Sequence, residues 1–130
     1  MNKITIEWHR LVDNNGRTCD RCACTGDATE AAVEKLKRCL EEVGIEVLLE
    51  KHAINQAAFF LNPIESNQIL IDGRTIETWL GGSTGQSPCC GPCGDKECRT
   101  VTVDGQTYEA IPENLILRAG LLAAAEKLRS

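Results

Sequence analysis

No run of apolar residues in this sequence approaches the about 20 that a membrane-spanning helix requires. The longest weakly polar stretch is "AGLLAAA" at residues 119–125. The opening "MNKITIEWHR" lacks the apolar segment and small-residue cleavage site of a secretory signal. Clustered Lys and Arg are also missing: residues 1–65 hold 8 basic and 11 acidic side chains, and residues 66–130 hold 6 and 8. A protein that binds nucleic acid nonspecifically needs such clusters to displace counterions from phosphates. These absences predict a soluble cytoplasmic protein with neither nucleic acid nor a membrane as partner. Aromatics are scarce at 4%, but 42% hydrophobic and 25% charged residues are ordinary globular values.

What the sequence has in excess is cysteine, 8 in 130 residues. A chain this long buries roughly two thirds of its unfolded surface as a single domain and need not lean on disulfides to fold. The cytosol keeps ordinary thiols reduced, so cysteines at this density point there to redox or metal chemistry. In an oxidising compartment they would instead read as a disulfide framework.

The apolar periodicity divides the chain into elements. Ile4, Ile6 and Trp8 alternate with Thr5, Glu7 and His9, as in a half-buried strand. Ala32, Val33, Leu36, Cys39, Leu40 and Val43 share one helical face over residues 28–43, with a capping box at Asp27 and Glu30 and a left-handed C-terminal cap at Gly44. "IEVLLEKHAI" follows as a second strand, giving the strand–helix–strand succession of a parallel crossover. "NQAAFFLNP" has room for a helical turn or two. "QILIDGRTIE" and "RTVTVDGQTYEAI" read as hairpins around Asp72-Gly73 and Asp104-Gly105. After Pro112, Leu115, Ile116, Ala119, Leu122 and Ala123 form the stripe of a final helix, with Gly120 expected to pack closely on the sheet. Between the hairpins the Gly-rich "GGSTGQSP" reads as a flexible lead-in to a cysteine-rich insertion at about residues 81–98.

Two groups of cysteines carry the candidate chemistry. Cys19-Asp20-Arg21-Cys22 lies between a strand and a helix, where two thiols at this spacing form a redox pair: the first attacks a disulfide and the second resolves the mixed disulfide. Arg17 and Arg21 favour a thiolate there, and Asp20 opposes it. In the second group, Cys90 and Cys93 form a knuckle around Gly91-Pro92, flanked by Cys89 and Cys98. Four thiolates suit zinc or another soft metal. A tetrahedron takes Cys90, Cys93 and Cys98 with a fourth ligand from Cys89, the first cluster or His9. Disulfide exchange is the competing use of the same sulfurs. Cys24 reads as a bystander, Cys39 as a small core hydrophobe, His9 and His52 as partly exposed strand residues, and Trp8 and Trp79 as core or core edge.

From Ile4 to about Glu77 the chain resembles the thioredoxin and glutaredoxin superfamily, with "TCDRC" matching the glutaredoxin style of motif ahead of an amphipathic helix. The whole chain, including "SPCCGPCG", "ECRTV" and "IPENLILRAGLLAA", is similar to a family of small prokaryotic thioredoxin-like, cysteine-rich proteins, a domain of unknown function. The resemblance implies an α/β fold with a thioredoxin-like mixed sheet, flanking helices and a cysteine-rich insertion. It casts Cys19 as attacking thiol and Cys22 as resolving thiol, with a thiol or disulfide substrate or a reductase protein as partner. Two departures accompany it. Gly26 and Asp27 place the helix start several residues beyond Cys19, and Ser66-Asn67-Gln68 stands where those folds carry a proline facing the pair. In that superfamily the proline is associated with keeping metal off the pair, so its replacement here favours metal binding at Cys19 and Cys22. The fold also predicts that a cysteine of the second cluster approaches the first.

Overall fold

The computed structural model describes residues 2–13, 15–18, 20–88 and 97–129. Strand β1 (Asn2–Leu11) pairs in parallel with β2 (Ile45–Ile54) through the helix α1 (Asp20–Glu41). Helix α2 (Gln56–Leu61) and a 3-10 turn (Pro63–Glu65) lead to β3 (Gln68–Ile71), which runs antiparallel to β1. Strand β4 (Arg74–Thr75) completes a sheet of order β2-β1-β3-β4 and passes directly into α3 (Ile76–Leu80). A second sheet, of order β5-β6-β7, is built from β5 (Ser83–Pro88), β6 (Glu97–Val103) and β7 (Gln106–Tyr108). Helix α4 (Glu113–Arg129) closes the chain. The molecule is thus mixed α/β, with two sheets and four helices among the described residues. No helix among them is long and apolar enough to cross a membrane.

The core forms on one face of the larger sheet. Ile4, Ile6 and Trp8 of β1, Val47 of β2 and Ile69 and Ile71 of β3 meet Val33, Leu36 and Leu40 of α1 and Leu115, Ile116 and Ala119 of α4. Each fully buried Ile or Leu contributes about 1.5–3 kcal/mol relative to an exposed one. Val101 and Val103 of β6 join the same cluster, which ties the second sheet to the first. Asp72-Gly73 and Asp104-Gly105 have positive φ at both residues, the mirror-image turn that matches strand twist. Gly44, at φ 77°, accepts the left-handed conformation after α1.

Several local expectations change. Helix α1 begins at Asp20, not near Asp27, because Gly26 serves packing: a Cβ there would lie 2.3 Å from Cη2 of Trp8. The buried indole therefore lies against bare helix backbone, and the glycine that reads as a breaker is instead a contact. Gly120 packs against Leu36 of α1, with a virtual Cβ 2.6 Å from Leu36 Cδ1, so its close approach is between helices and not to the sheet. Cys39 and Val43 fall off the buried stripe of α1 and are exposed, as is Leu122 of α4. Only two residues of the first hairpin's second arm are strand before α3 starts. The Gly-rich "GGSTGQSP" is no flexible lead-in: its last six residues form β5, paired antiparallel to β6 from Ser83↔Thr102 to Pro88↔Glu97. Residues 89–96 join these two strands.

Candidate functional site

Cys22 lies in the first turn of α1 and Cys98 in β6, 76 positions further along the chain, and both are fully buried. They belong to one small apolar cluster with Leu11 at the end of β1, Ile54 at the end of β2 and Phe59 of α2. This cluster is separate from the main core and lies at the carboxyl ends of the parallel strands, where open α/β sheets place their sites. Cys24, in contrast, is exposed on the same helix, and neither it nor Cys39 takes part in a disulfide. Cys19, Cys89, Cys90 and Cys93 lie outside the described residues.

Polar contacts join the flanks of the two cysteine segments. Arg21, inside the Cys-x-x-Cys motif, donates to the Ser87 carbonyl at 3.2 Å, to Ser87 Oγ at 2.7 Å and to the Pro88 carbonyl at 3.2 Å. It also pairs with Glu109 at 2.6 Å. The sequence suggests Arg21 as a charge that favours a thiolate. Its guanidinium binds the last two residues of β5 and a carboxylate, so it straps α1 to the end of β5.

A second tie runs through Asn67, which is fully buried at φ 56°. Asparagine tolerates this left-handed region better than most residues. Its Nδ2 donates to the carbonyls of Arg99 at 3.2 Å and Glu109 at 2.7 Å, while its Oδ1 accepts from Thr25 Oγ1 at 2.5 Å. Thr25 Oγ1 in turn accepts from the Ile111 amide at 3.0 Å. One side chain thus fixes α1, one turn beyond Cys22, against β6, one residue beyond Cys98.

Arg99 makes a third tie, this one ionic. Its guanidinium pairs with Glu77 of α3, their side chains being 7% and 4% exposed, and its Nε donates to the Ile64 carbonyl at 2.6 Å. Thr84 Oγ1 of β5 donates to the same carboxylate oxygen at 2.6 Å. Neither Asn67 nor this ion pair is legible in the sequence, because each depends on residues that meet only in the folded chain.

The two histidines also come together. His9 and His52 are register partners on β1 and β2 and stack with ring centroids 4.7 Å apart. Ligand atoms of Glu7, His9 and His52 all lie within 4.8 Å of one another. Along the sequence the histidines stand apart, each on its own strand. A signal was present, since both strands read Glu-x-His, as Glu7-Trp8-His9 and Glu50-Lys51-His52.

Comparison with known proteins places the chain in a family. Residues 4–120 match the family model described as Domain of unknown function (DUF2703), and the chain belongs to that family. A protein of Archaeoglobus fulgidus described as "Uncharacterized protein" is 42% identical over 115 residues, covering 88% of this chain and 82% of its own length. No solved structure matches.

Proposed function

Proceeding from this family membership, we propose that the protein is a thiol–disulfide redox protein of thioredoxin-like type, with Cys19 and Cys22 as its reacting pair and the second cysteine cluster as a relay. The observation that carries this reading is the burial of Cys22 and Cys98 in one cluster while Arg21 binds the residues next to Cys89. The strand order β2-β1-β3-β4, the parallel crossover and the start of α1 at Asp20 support it. A helix N-terminus stabilises an adjacent anion, which is the usual means of lowering a thiol pKa.

The chemistry balances as two exchanges. Cys19 thiolate attacks one sulfur of a substrate disulfide, and the other substrate sulfur leaves and takes up a proton. Cys22 thiolate attacks Cys19, closes the Cys19–Cys22 disulfide and releases the second substrate thiol, so two electrons pass from protein to substrate. In the relay, Cys98 thiolate attacks Cys22 and frees Cys19. A thiol from Cys89, Cys90 or Cys93 then attacks Cys98, moving the disulfide into residues 89–98 and freeing Cys22. An external thiol such as glutathione, or a reductase protein, restores the dithiol.

A second reading uses the same sulfurs without turnover: a soft metal ion, zinc foremost, held by Cys89, Cys90, Cys93 and Cys98. It is favoured by the position of residues 89–96 between two antiparallel strands, a setting suited to a thiolate knuckle. Disulfide reduction assayed with glutathione or thioredoxin reductase, alongside elemental analysis and differential alkylation, separates the two. Turnover that is abolished by Cys19→Ser, in metal-free protein, supports the redox reading. Wild-type protein with near-stoichiometric zinc, reduced thiols and no turnover overturns it in favour of the metal.

A further inference from the structure

The face of the larger sheet opposite the core carries an unusual polar array. Because β1 and β2 run parallel with His9 opposite His52, their Glu-x-His segments align residue for residue, Glu7 beside Glu50 and His9 beside His52. Side chains two apart on a strand share a face, so both histidines and both glutamates project from the same side. Glu65 of the 3-10 turn approaches from the edge.

The distances within this array are specific. Nε2 of His9 lies 3.6 Å and Nε2 of His52 lies 3.5 Å from the same oxygen, Oε1 of Glu7. His52 Nε2 is also 3.2 Å from Glu50 Oε1. At 3.6 Å the first contact is too long for a hydrogen bond, and His9 Nε2 is a buried atom with no hydrogen-bond partner among the described residues. The two edges that Glu7 makes come near those of a ligand tetrahedron, in which bonds of about 2.0–2.1 Å to a central zinc place neighbouring donor atoms about 3.3 Å apart, and a bound ion would draw the stacked imidazoles together from the 4.8 Å within which the whole set lies. The other nitrogen of His9 is accounted for, since Nδ1 lies 3.4 Å from Glu65 Oε2. A carboxylate that accepts from Nδ1–H fixes the tautomer with its lone pair on Nε2, the arrangement found behind metal-bound histidines.

We propose that Glu7, His9 and His52 form a binding site for a divalent transition-metal ion of zinc type, with Glu65 as a positioning residue behind His9 and Glu50 beside His52. Two imidazoles and one carboxylate are the donor set of zinc and of other borderline divalent ions. Three protein ligands leave a fourth position open, and His52, 43% exposed, leaves that position on the solvent side. The surrounding carboxylates supply negative charge that a divalent cation neutralises. This site is built from nitrogen and oxygen donors alone, so it is chemically distinct from the cysteine clusters and independent of the redox reading.

The test exploits the fact that these are the 2 histidines of the whole chain. In the full-length reduced protein, imidazole NMR signals therefore come from these two side chains alone, and a joint response of both separates this site from any metal that the thiols take up. Under titration with buffered zinc, both imidazoles should shift together with one midpoint, and both Nε2 resonances should move to metal-bound positions. Glu7→Gln should raise that midpoint at least about tenfold, and Glu65→Gln should raise it about 10–100-fold, as loss of an outer partner does. His52→Gln, a change at a half-exposed position, should remove the response of His9 to zinc while far-UV circular dichroism stays that of the wild type. The proposal is overturned if the imidazoles do not respond at about 1 mM zinc, the limit of weak association. It is equally overturned if His9 responds without His52, the pattern expected were His9 a fourth ligand to the cysteines, or if Glu7→Gln leaves the midpoint unchanged.

Discussion

Replacing Arg99 with Met should destabilise this protein more than any surface change, and the structure sets the scale. Met keeps most of the apolar volume of the arginine stem but removes the guanidinium. Glu77, 4% exposed, would keep only the Thr84 hydroxyl at 2.6 Å, and its Oε1 already has no hydrogen-bond partner among the described residues. The Ile64 carbonyl would also lose its donor at 2.6 Å. Breaking a buried ion pair from one side costs about 3–5 kcal/mol, a large share of the about 5–15 kcal/mol that stabilises a typical domain. For a chain of this size that corresponds to a fall in Tm of about 10–20 °C. The double variant Arg99→Met/Glu77→Leu removes both charges and should recover most of the loss, ending within about 2 kcal/mol of wild type. Urea titrations followed by far-UV circular dichroism, with reductant and chelator present, measure all four members of the cycle. A cost below about 1 kcal/mol for Arg99→Met, or single losses that simply add in the double variant with no coupling, would refute the buried ion pair's role.

Two further perturbations test how α1 is seated beside the cysteines. Gly26→Ala improves helix propensity by about 1 kcal/mol, yet its Cβ would meet Trp8 at 2.3 Å. Overpacking of about 1–3 kcal/mol or more should outweigh the gain, giving a lower urea midpoint and altered tryptophan fluorescence; a stabilised Gly26→Ala would refute the close packing. Asn67→Ala removes the donor shared by the Arg99 and Glu109 carbonyls and the acceptor of Thr25, at about 1–3 kcal/mol for the groups left unsatisfied. Because that side chain joins α1 to β6, mass-spectrometric alkylation should also show Cys22 and Cys98 modified faster than in wild type, and unchanged rates would show that Asn67 does not hold this seam closed.

Much of the scaffold is legible in local sequence because the relevant physics is local. Alternation of Ile4, Ile6 and Trp8 against polar neighbours makes β1, the apolar stripe from Ala32 to Leu40 makes α1, and Asp72-Gly73 and Asp104-Gly105 make their turns through φ values few other residues accept. The strand–helix–strand order carries the parallel pairing of β1 and β2 with it. Glycines are read less well. Gly26 and Gly120 look like interruptions along the chain but are contact points for Trp8 and Leu36, since the absence of a Cβ matters only once a neighbour arrives to use the space. The strand β5 is equally hidden: "STGQSP" has poor strand propensity, and its pairing with β6 overrides that preference.

The sequence by itself determined which side chains are available, seven of its eight thiols in two groups and a Glu-x-His on each of two strands, because composition and spacing are properties of the chain. Which of them meet was decided by the tertiary structure alone. Cys22 shares a cluster with Cys98, Arg21 reaches Ser87, and His9 lies beside His52, since each pairing depends on strand register and helix docking between segments dozens of residues apart. Such contacts follow from burying the faces of β1, α1 and α4 together. Only when those faces are buried are the polar side chains left over, at the carboxyl end of the strands and on the opposite side of the sheet, brought within reach of one another.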